Sequence, residues 1–152
     1  MINTIIIAEK KHLEECVQAL KNSELGRVYF SQDGKARQAL SHGFEKRQVL
    51  VALDKEESLL GFIWYQEYGA FHGFPYIHII AIKDEYRGKG IGSELLTHFE
   101  EEVVNNSKVF LLVSDFNPKA KKLYEKRGYR EVGVIPDLYK SGVTEHLMMK
   151  EL

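Results

Sequence analysis

Tyr76–Leu96 reads YIHIIAIKDEYRGKGIGSELL, and the reading of this stretch decides the fold. Tyr76 to Lys83 is dense in isoleucine, whose branched side chain suits a buried pleated surface better than a helix. The charged turn DEYRGKG ends that strand. From Gly90 the spacing changes: Ile91, Leu95, Phe99 and Val103 recur every four residues, the apolar stripe of an amphipathic helix. Strand, glycine-rich turn and helix are contiguous. In Arg87-Gly88-Lys89-Gly90-Ile91-Gly92 the small residues let backbone N–H groups crowd around an anion without Cβ obstruction, and the helix dipole, Arg87 and Lys89 add positive charge. Phosphate is the natural guest, and a turn that merely ends a strand is the plain alternative. A Walker loop, G-x-x-x-x-G-K-[ST], is absent. A dinucleotide fingerprint starting at Gly88 would need glycine where Ser93 stands.

Working outward, residues 4–8 (TIIIA) predict a first strand, and Lys10 to Leu20 an amphipathic helix. Asp33 to Lys46 predicts a second helix. Gln48–Leu53 and Leu59–Glu67 flank the polar DKEES segment as an antiparallel hairpin, and YGAFHGFP then reads as a connection. Beyond the central helix, Val109–Ser114 predicts a buried strand. Asn117-Pro118 is an N-cap followed by proline at the first helical position, and Gly128 is the C-terminal stop. Tyr129–Ile135 and Glu145–Leu152 close the chain as a strand pair around PDLYKSG. The order predicts an α/β (mixed α+β) sheet of about seven strands with flanking helices, with antiparallel hairpins on both sides of one crossover.

The 152 residues suit a single domain, 1–152. Twenty-one basic against 22 acidic residues leave a net charge of -1, which gives no broad footprint for nucleic acid, so an anionic ligand must be caught locally. The apolar runs are too short to cross a bilayer, so no membrane association is expected. The N-terminus carries no secretory pattern, which leads to the expectation of a cytoplasmic protein. Cys16 shares an apolar helical face with Leu13, Val17 and Leu20 and reads as core. The histidines lack paired ligand spacing, so no metal is expected.

R-x-x-G-x-G after an apolar strand resembles the pyrophosphate motif of the GNAT superfamily of N-acetyltransferases. AIKDEYRGKGIGSELL (81–96) is similar to that family's strand-to-helix signature. NPKAKKLYEKRGY (117–129) resembles its second signature, and the order and spacing of the two agree with the family. The first 45 residues match only in coarse element order. The resemblance implies a GNAT-like fold and direct transfer of acetyl from acetyl-CoA, as co-substrate, to a primary amine. It implies that Arg87, Gly88, Lys89, Gly90, Ile91, Gly92 and Ser93 hold the CoA pyrophosphate. Main chain around Ile80, Ala81 and Ile82 would pair with the pantetheine arm, and Asn117 would lie near the cofactor or serve as a plain N-cap.

Tyr124 is the implied general acid for the leaving thiolate, with a core aromatic as the alternative. The base is less defined by the family match, because the strand YIHIIAI has no glutamate. His78, sharing strand parity with Ile80 and Ile82, is the first candidate, with a pKa ordinarily near 6.5. Glu67 is the second. A non-catalytic acyl-CoA-binding module, a transferase of longer acyl groups and a nucleotide-binding regulatory domain are the rival readings. The acceptor stays open among small amines, amino acids and protein N-termini. Aromatic residues between Tyr65 and Tyr76, with Tyr139, are candidates to line its site, pack a small core or meet a second copy in a homodimer.

Overall fold

A computed structural model describes residues Met1–Leu152. It runs β1 (Thr4–Ile7), α1 (Leu13–Lys21), α2 (Glu24–Tyr29), α3 (Lys35–Glu45), β2 (Val49–Leu53), β3 (Leu59–Ala70) and β4 (Phe74–Ile82). Then come α4 (Ile91–His98, continued by a π-helical turn over Phe99–Val103), β5 (Lys108–Ser114), α5 (Pro118–Lys126), β6 (Arg130–Pro136) and β7 (Thr144–Glu151). The strands form one seven-stranded sheet in the order β1-β2-β3-β4-β5-β7-β6. Every pairing is antiparallel except β4 with β5. The mixed sheet expected from the sequence is therefore present. No helix is long and apolar enough to cross a membrane.

Each sheet face is covered by helices, which is why β2 is buried at every position. On one face α4 and α5 bring Ile91, Leu95, Leu96, Phe99 and Tyr124 against Leu50, Ile63, Ile77, Leu111 and Val113. On the other, α1 and α3 bring Cys16, Leu20, Ala36 and Leu40 against Val51, Phe62, Trp64, Ile79 and Ala81. Burying one such side chain contributes about 1.5–3 kcal/mol, so both helical layers are held by the apolar stripes visible in the sequence. Cys16 is fully buried, as its helical face required, and burial pushes its thiol pKa up.

Three features depart from the sequence reading. First, α2 is an additional helix. Ser23 accepts the Gly26 amide at 2.9 Å as its N-cap, while its own hydroxyl donates to Leu20 O at 2.6 Å, closing α1. Gly26 is needed there because a Cβ would stand 1.7 Å from Leu20 O. Such a short helix with an internal glycine shows no periodicity. Second, YGAFHGFP is no open connection: β3 runs on to Ala70, which pairs with Phe74 across a three-residue loop, where Phe71 and His72, at φ 55° and 59°, are the central residues of a tight turn closed by Gly73 N on Ala70 O at 3.1 Å. The usual Asn-Gly signal for that turn is missing.

Third, β4 carries a bulge. Trp64 pairs with Ile79 but Tyr65 pairs with Ile77, leaving His78 as the extra residue. The bulge breaks the parity expected from the sequence. Ile80 and Ile82 pack toward α4, whereas His78 stacks on Trp64 of the opposite face, with ring centroids 4.2 Å apart.

Candidate active site

The parallel contact between β4 and β5 is limited to Tyr76 with Phe110 and Ile77 with Leu111. β5 stays paired to β7 over its whole length, from Lys108 to Ser114. Beyond Ile77 the sheet therefore opens between β4 and β5. Lys83 donates its amide to Leu60 O at 3.0 Å, which fixes the phase of the antiparallel β3–β4 ladder. By its alternation Ala81 and Ile79 turn their main chain to β3, and Ile80 and Ile82 turn theirs to the opening. Of the expected strand residues, Ile80 and Ile82 thus face the gap, and Ala81 does not. A ligand arm entering here would find the amide and carbonyl of Ile80 and the amide of Ile82 unsatisfied by β5, the Ile82 carbonyl being taken by Arg87 Nε at 3.1 Å.

At the mouth of the gap lies the glycine turn. Gly88 and Gly90 have φ 73° and 84°, and Gly90 stands at the N-cap of α4. A Cβ on either would meet nothing within 4 Å. The reason for glycine here is thus backbone handedness rather than room inside the chain. From Gly88 through Ile91 and Gly92 to Ser93 no amide donates to an acceptor of the chain: the bonds around the turn are Arg87 N on Asp84 O and Glu94 N on Gly90 O. Consecutive free N–H groups at a helix N-terminus form a nest for an anion.

Arg87 is less free than the sequence suggested. Its Nε donates to Ile82 O at 3.1 Å, one terminal nitrogen to Asn22 O at 2.9 Å, and the other pairs with Asp84. It braces the turn against β4 and α1, and Lys89 is left as the exposed cation with no ion-pair partner.

Tyr124 sits on α5 in the apolar cluster that contains Ile77 and Val113, the residues flanking the gap, with Ile80 packed against it. Its ring meets Tyr129 edge-on at 5.8 Å. Its hydroxyl makes no hydrogen bond within the chain, yet it is not sealed off, unlike Arg127 Nε. Burial pushes its pKa up to about 12. Asn117 precedes α5, and its side chain makes no capping bond, which leaves the amide available to a ligand.

On the opposite face, below the gap, a cavity of about 310 Å³ is lined by Tyr29, Tyr76, His78, Leu112, Tyr139 and Glu145, with Leu25, Phe30, Lys35 and Lys140 completing its wall. His78 contacts both Trp64 and Tyr76, at 4.2 and 5.8 Å, and burial lowers its pKa below the usual value. It is a neutral imidazole at neutral pH, able to take a proton. Tyr29 meets Tyr139 and Phe116 edge-on at 5.5 and 5.7 Å. Of the aromatic residues expected to line an acceptor site, Tyr76 and Tyr139 line this cavity. Phe74 packs instead with Phe110, and Phe71 meets the same ring.

Glu67 is not brought to this site. It is exposed near the far end of β3, beside Tyr68, Pro75 and Asn106, at the end of the sheet where β4 begins rather than where it opens. The carboxylate that does reach the cavity is Glu145, which the sequence reading passed over. It is 2% exposed, accepts from Ser114 Oγ at 2.7 and 2.8 Å and from Tyr29 Oη at 2.6 Å, and has no cationic side chain against it. The Tyr29 pKa rises to about 12 through burial and this bond. Its sequence signal was an acid at the inward parity of Leu147 and Met149.

The profile of the Acetyltransferase (GNAT) family matches residues 12–129. An N-alpha-acetyltransferase of Sulfurisphaera tokodaii is 38% identical over 76 residues, which cover 48% of this chain and 46% of that protein. The chain spans about half, or less, of the length of the curated relatives it matches. A GNAT-family acetyltransferase from Bacillus cereus superposes with a TM-score of 0.80 at 18% identity, covering 97% of this chain and 96% of the other. The spermidine N-acetyltransferase of Vibrio cholerae, in complex with CoA and spermine, superposes with a TM-score of 0.75 at 22% identity, covering 97% and 94%. These likenesses show the fold.

Proposed function

Because the chain belongs to the acetyltransferase (GNAT) family, we propose that it transfers acetyl from acetyl-CoA directly to a primary amine in a ternary complex. The observation that carries this reading is the gap between β4 and β5, with an anion nest at its mouth, a phenol over one face and a polar-lined cavity under the other. The residues fit an extended ligand with a diphosphate. Free amides from Gly88 to Ser93 take the pyrophosphate, main chain at Ile80 and Ile82 pairs with the pantetheine arm, and Asn117 faces the same ligand.

The amine lone pair attacks the thioester carbonyl from the cavity side, forming the C–N bond. An outward amide of β4 donates to the oxygen as it becomes negative, a contribution of roughly 3–4 kcal/mol for a preorganised donor. As the C–S bond breaks, Tyr124 donates toward sulfur. With its pKa at about 12, well above a thiol's about 8.5, the phenol serves chiefly by a hydrogen bond to the nascent thiolate. His78, held neutral by burial, receives the proton that the amine loses, directly or through water. An acceptor that enters as an ammonium loses two protons, one before attack through His78 to solvent, and one from nitrogen after the C–N bond forms, which balances the proton finally taken by sulfur. No covalent acyl-enzyme is needed, since Cys16 is buried in the core.

The test is calorimetric titration with acetyl-CoA, and separately with ATP and NAD, followed by thiol release over an amine panel. Micromolar acetyl-CoA binding with amine-dependent thiol release is expected. A folded protein that binds no acetyl-CoA refutes the reading.

A further inference from the structure

The cavity beneath the gap has an unusual charge pattern. Glu145 lies deep in it and is almost fully buried, yet its only partners are the hydroxyls of Ser114 and Tyr29. Buried carboxylates are ordinarily paired with a cation, because hydroxyl bonds alone compensate only part of the lost hydration. At the rim the pattern inverts. Lys35 and Lys140 are exposed, line the same cavity and pair with no acidic side chain. One carboxylate without a cation lies inside, and two ammonium groups without an anion lie outside.

We infer that the acceptor is a small amino acid-like zwitterion, docked amine-first with its ammonium at Glu145 and its carboxylate between Lys35 and Lys140. This rests on the acetyl-transfer reading of the same site. A cavity of about 310 Å³ takes a molecule of that size, and Leu25, Phe30 and Leu112 give its carbon skeleton an apolar wall. β5 runs parallel to β4 from the Tyr76–Phe110 pair, so Ser114 and its bonded Glu145 lie further along β5, across the opening from the outer half of β4 around Ile80 and Ala81. An amine drawn to Glu145 is therefore held beside the strand edge proposed for the thioester, and His78 is on the same cavity wall to take its proton. A polyamine fits the same cavity poorly, because its second cation would meet the two lysines at the mouth. The lysines thus set specificity, while Glu145 positions the amine.

The experiment measures kcat/KM by thiol release for α- and ω-amino acids of increasing length, each against the amine lacking its carboxylate, with spermidine as a separate acceptor. The acid is expected to exceed its matched amine by about tenfold, the worth of two exposed ion pairs. In Lys35→Ala/Lys140→Ala, both exposed positions that leave the core untouched, that ratio falls to near one. Glu145→Gln, which keeps shape and hydroxyl contacts, lowers turnover of acids and amines alike by about tenfold or more. The assignment is overturned if matched amines or spermidine turn over as well as the acids, or if the preference survives loss of both lysines. It is overturned too if no acid is acetylated although calorimetry shows acetyl-CoA bound. Absence of acetyl-CoA binding sinks the transferase reading itself and the acceptor assignment with it.

Discussion

The glycine turn offers the sharpest test, through Gly90→Ala set against Gly92→Ala. Gly90 holds φ 84°, where an L side chain costs roughly 1–2 kcal/mol relative to glycine. A Cβ there meets nothing within 4 Å, so conformation is the whole cost and no clash adds to it. Either the turn keeps its shape and the fold loses that free energy, or the backbone relaxes to negative φ and swings the free amides off the anion. In the first case the melting temperature falls by about 2–4 °C per kcal/mol. In the second, acetyl-CoA affinity falls by a factor of roughly 5–30. Gly92 is different: its φ is not positive, and a Cβ would lie 3.8 Å from Leu123 and 4.0 Å from Ile82, ordinary contact distances. Alanine there gains up to about 1 kcal/mol of helix propensity and leaves binding near wild type. Calorimetry for stability and titration with acetyl-CoA for affinity read both variants. The reasoning is refuted if Gly90→Ala matches wild type in both measurements, or if Gly92→Ala is as damaging as Gly90→Ala.

Tyr124→Phe removes a hydroxyl that bonds nothing in the chain, so stability is expected to hold while kcat falls by roughly a hundredfold; an unchanged kcat in thiol release would assign Tyr124 to the core alone. For His78, a base must be unprotonated to act and burial lowers the pKa, so the acidic limb of kcat/KM should have its midpoint below about 6.5 and vanish in His78→Asn. The same shift means that the unfolded chain binds the proton more readily, so stability falls as pH drops below about 6.5, a loss that a denaturation series in wild type and His78→Asn separates. At the β3–β4 hairpin, His72→Gly relieves a side chain held at φ 59° and leaves the Phe71–Phe110 contact in place, and thermal melting should show a gain of about 1 kcal/mol.

Local chemistry made much of this protein legible. The strand-turn-helix unit could be read because β-branched residues, glycines and a four-residue apolar repeat each act within a few positions. Pro118 at the first helical position and left-handed Gly128 past the end bounded α5 for the same reason, although Asn117 makes no capping bond. Signals weakened where neighbours decide. Ser23 serves two helices at once, and the Phe71–His72 turn holds left-handed backbone without the residues that announce it.

The site itself needed the tertiary structure. The bulge at His78 arises from the register between β3 and β4, and it moves the imidazole to the face opposite the one strict alternation assigned. Glu67, chosen because it ended a predicted strand, is carried away once β3 continues to Ala70. Glu145 gains its meaning from Tyr29, 116 residues earlier, and from Ser114 on the strand beside it. The sequence alone determined the seven strands, the longer helices, their order and the glycine turn ahead of α4, because these follow from short-range sterics and periodicity. Only the tertiary structure decided where the sheet opens and which carboxylate faces the opening, because strand register and splay are set by contacts between residues far apart in the chain.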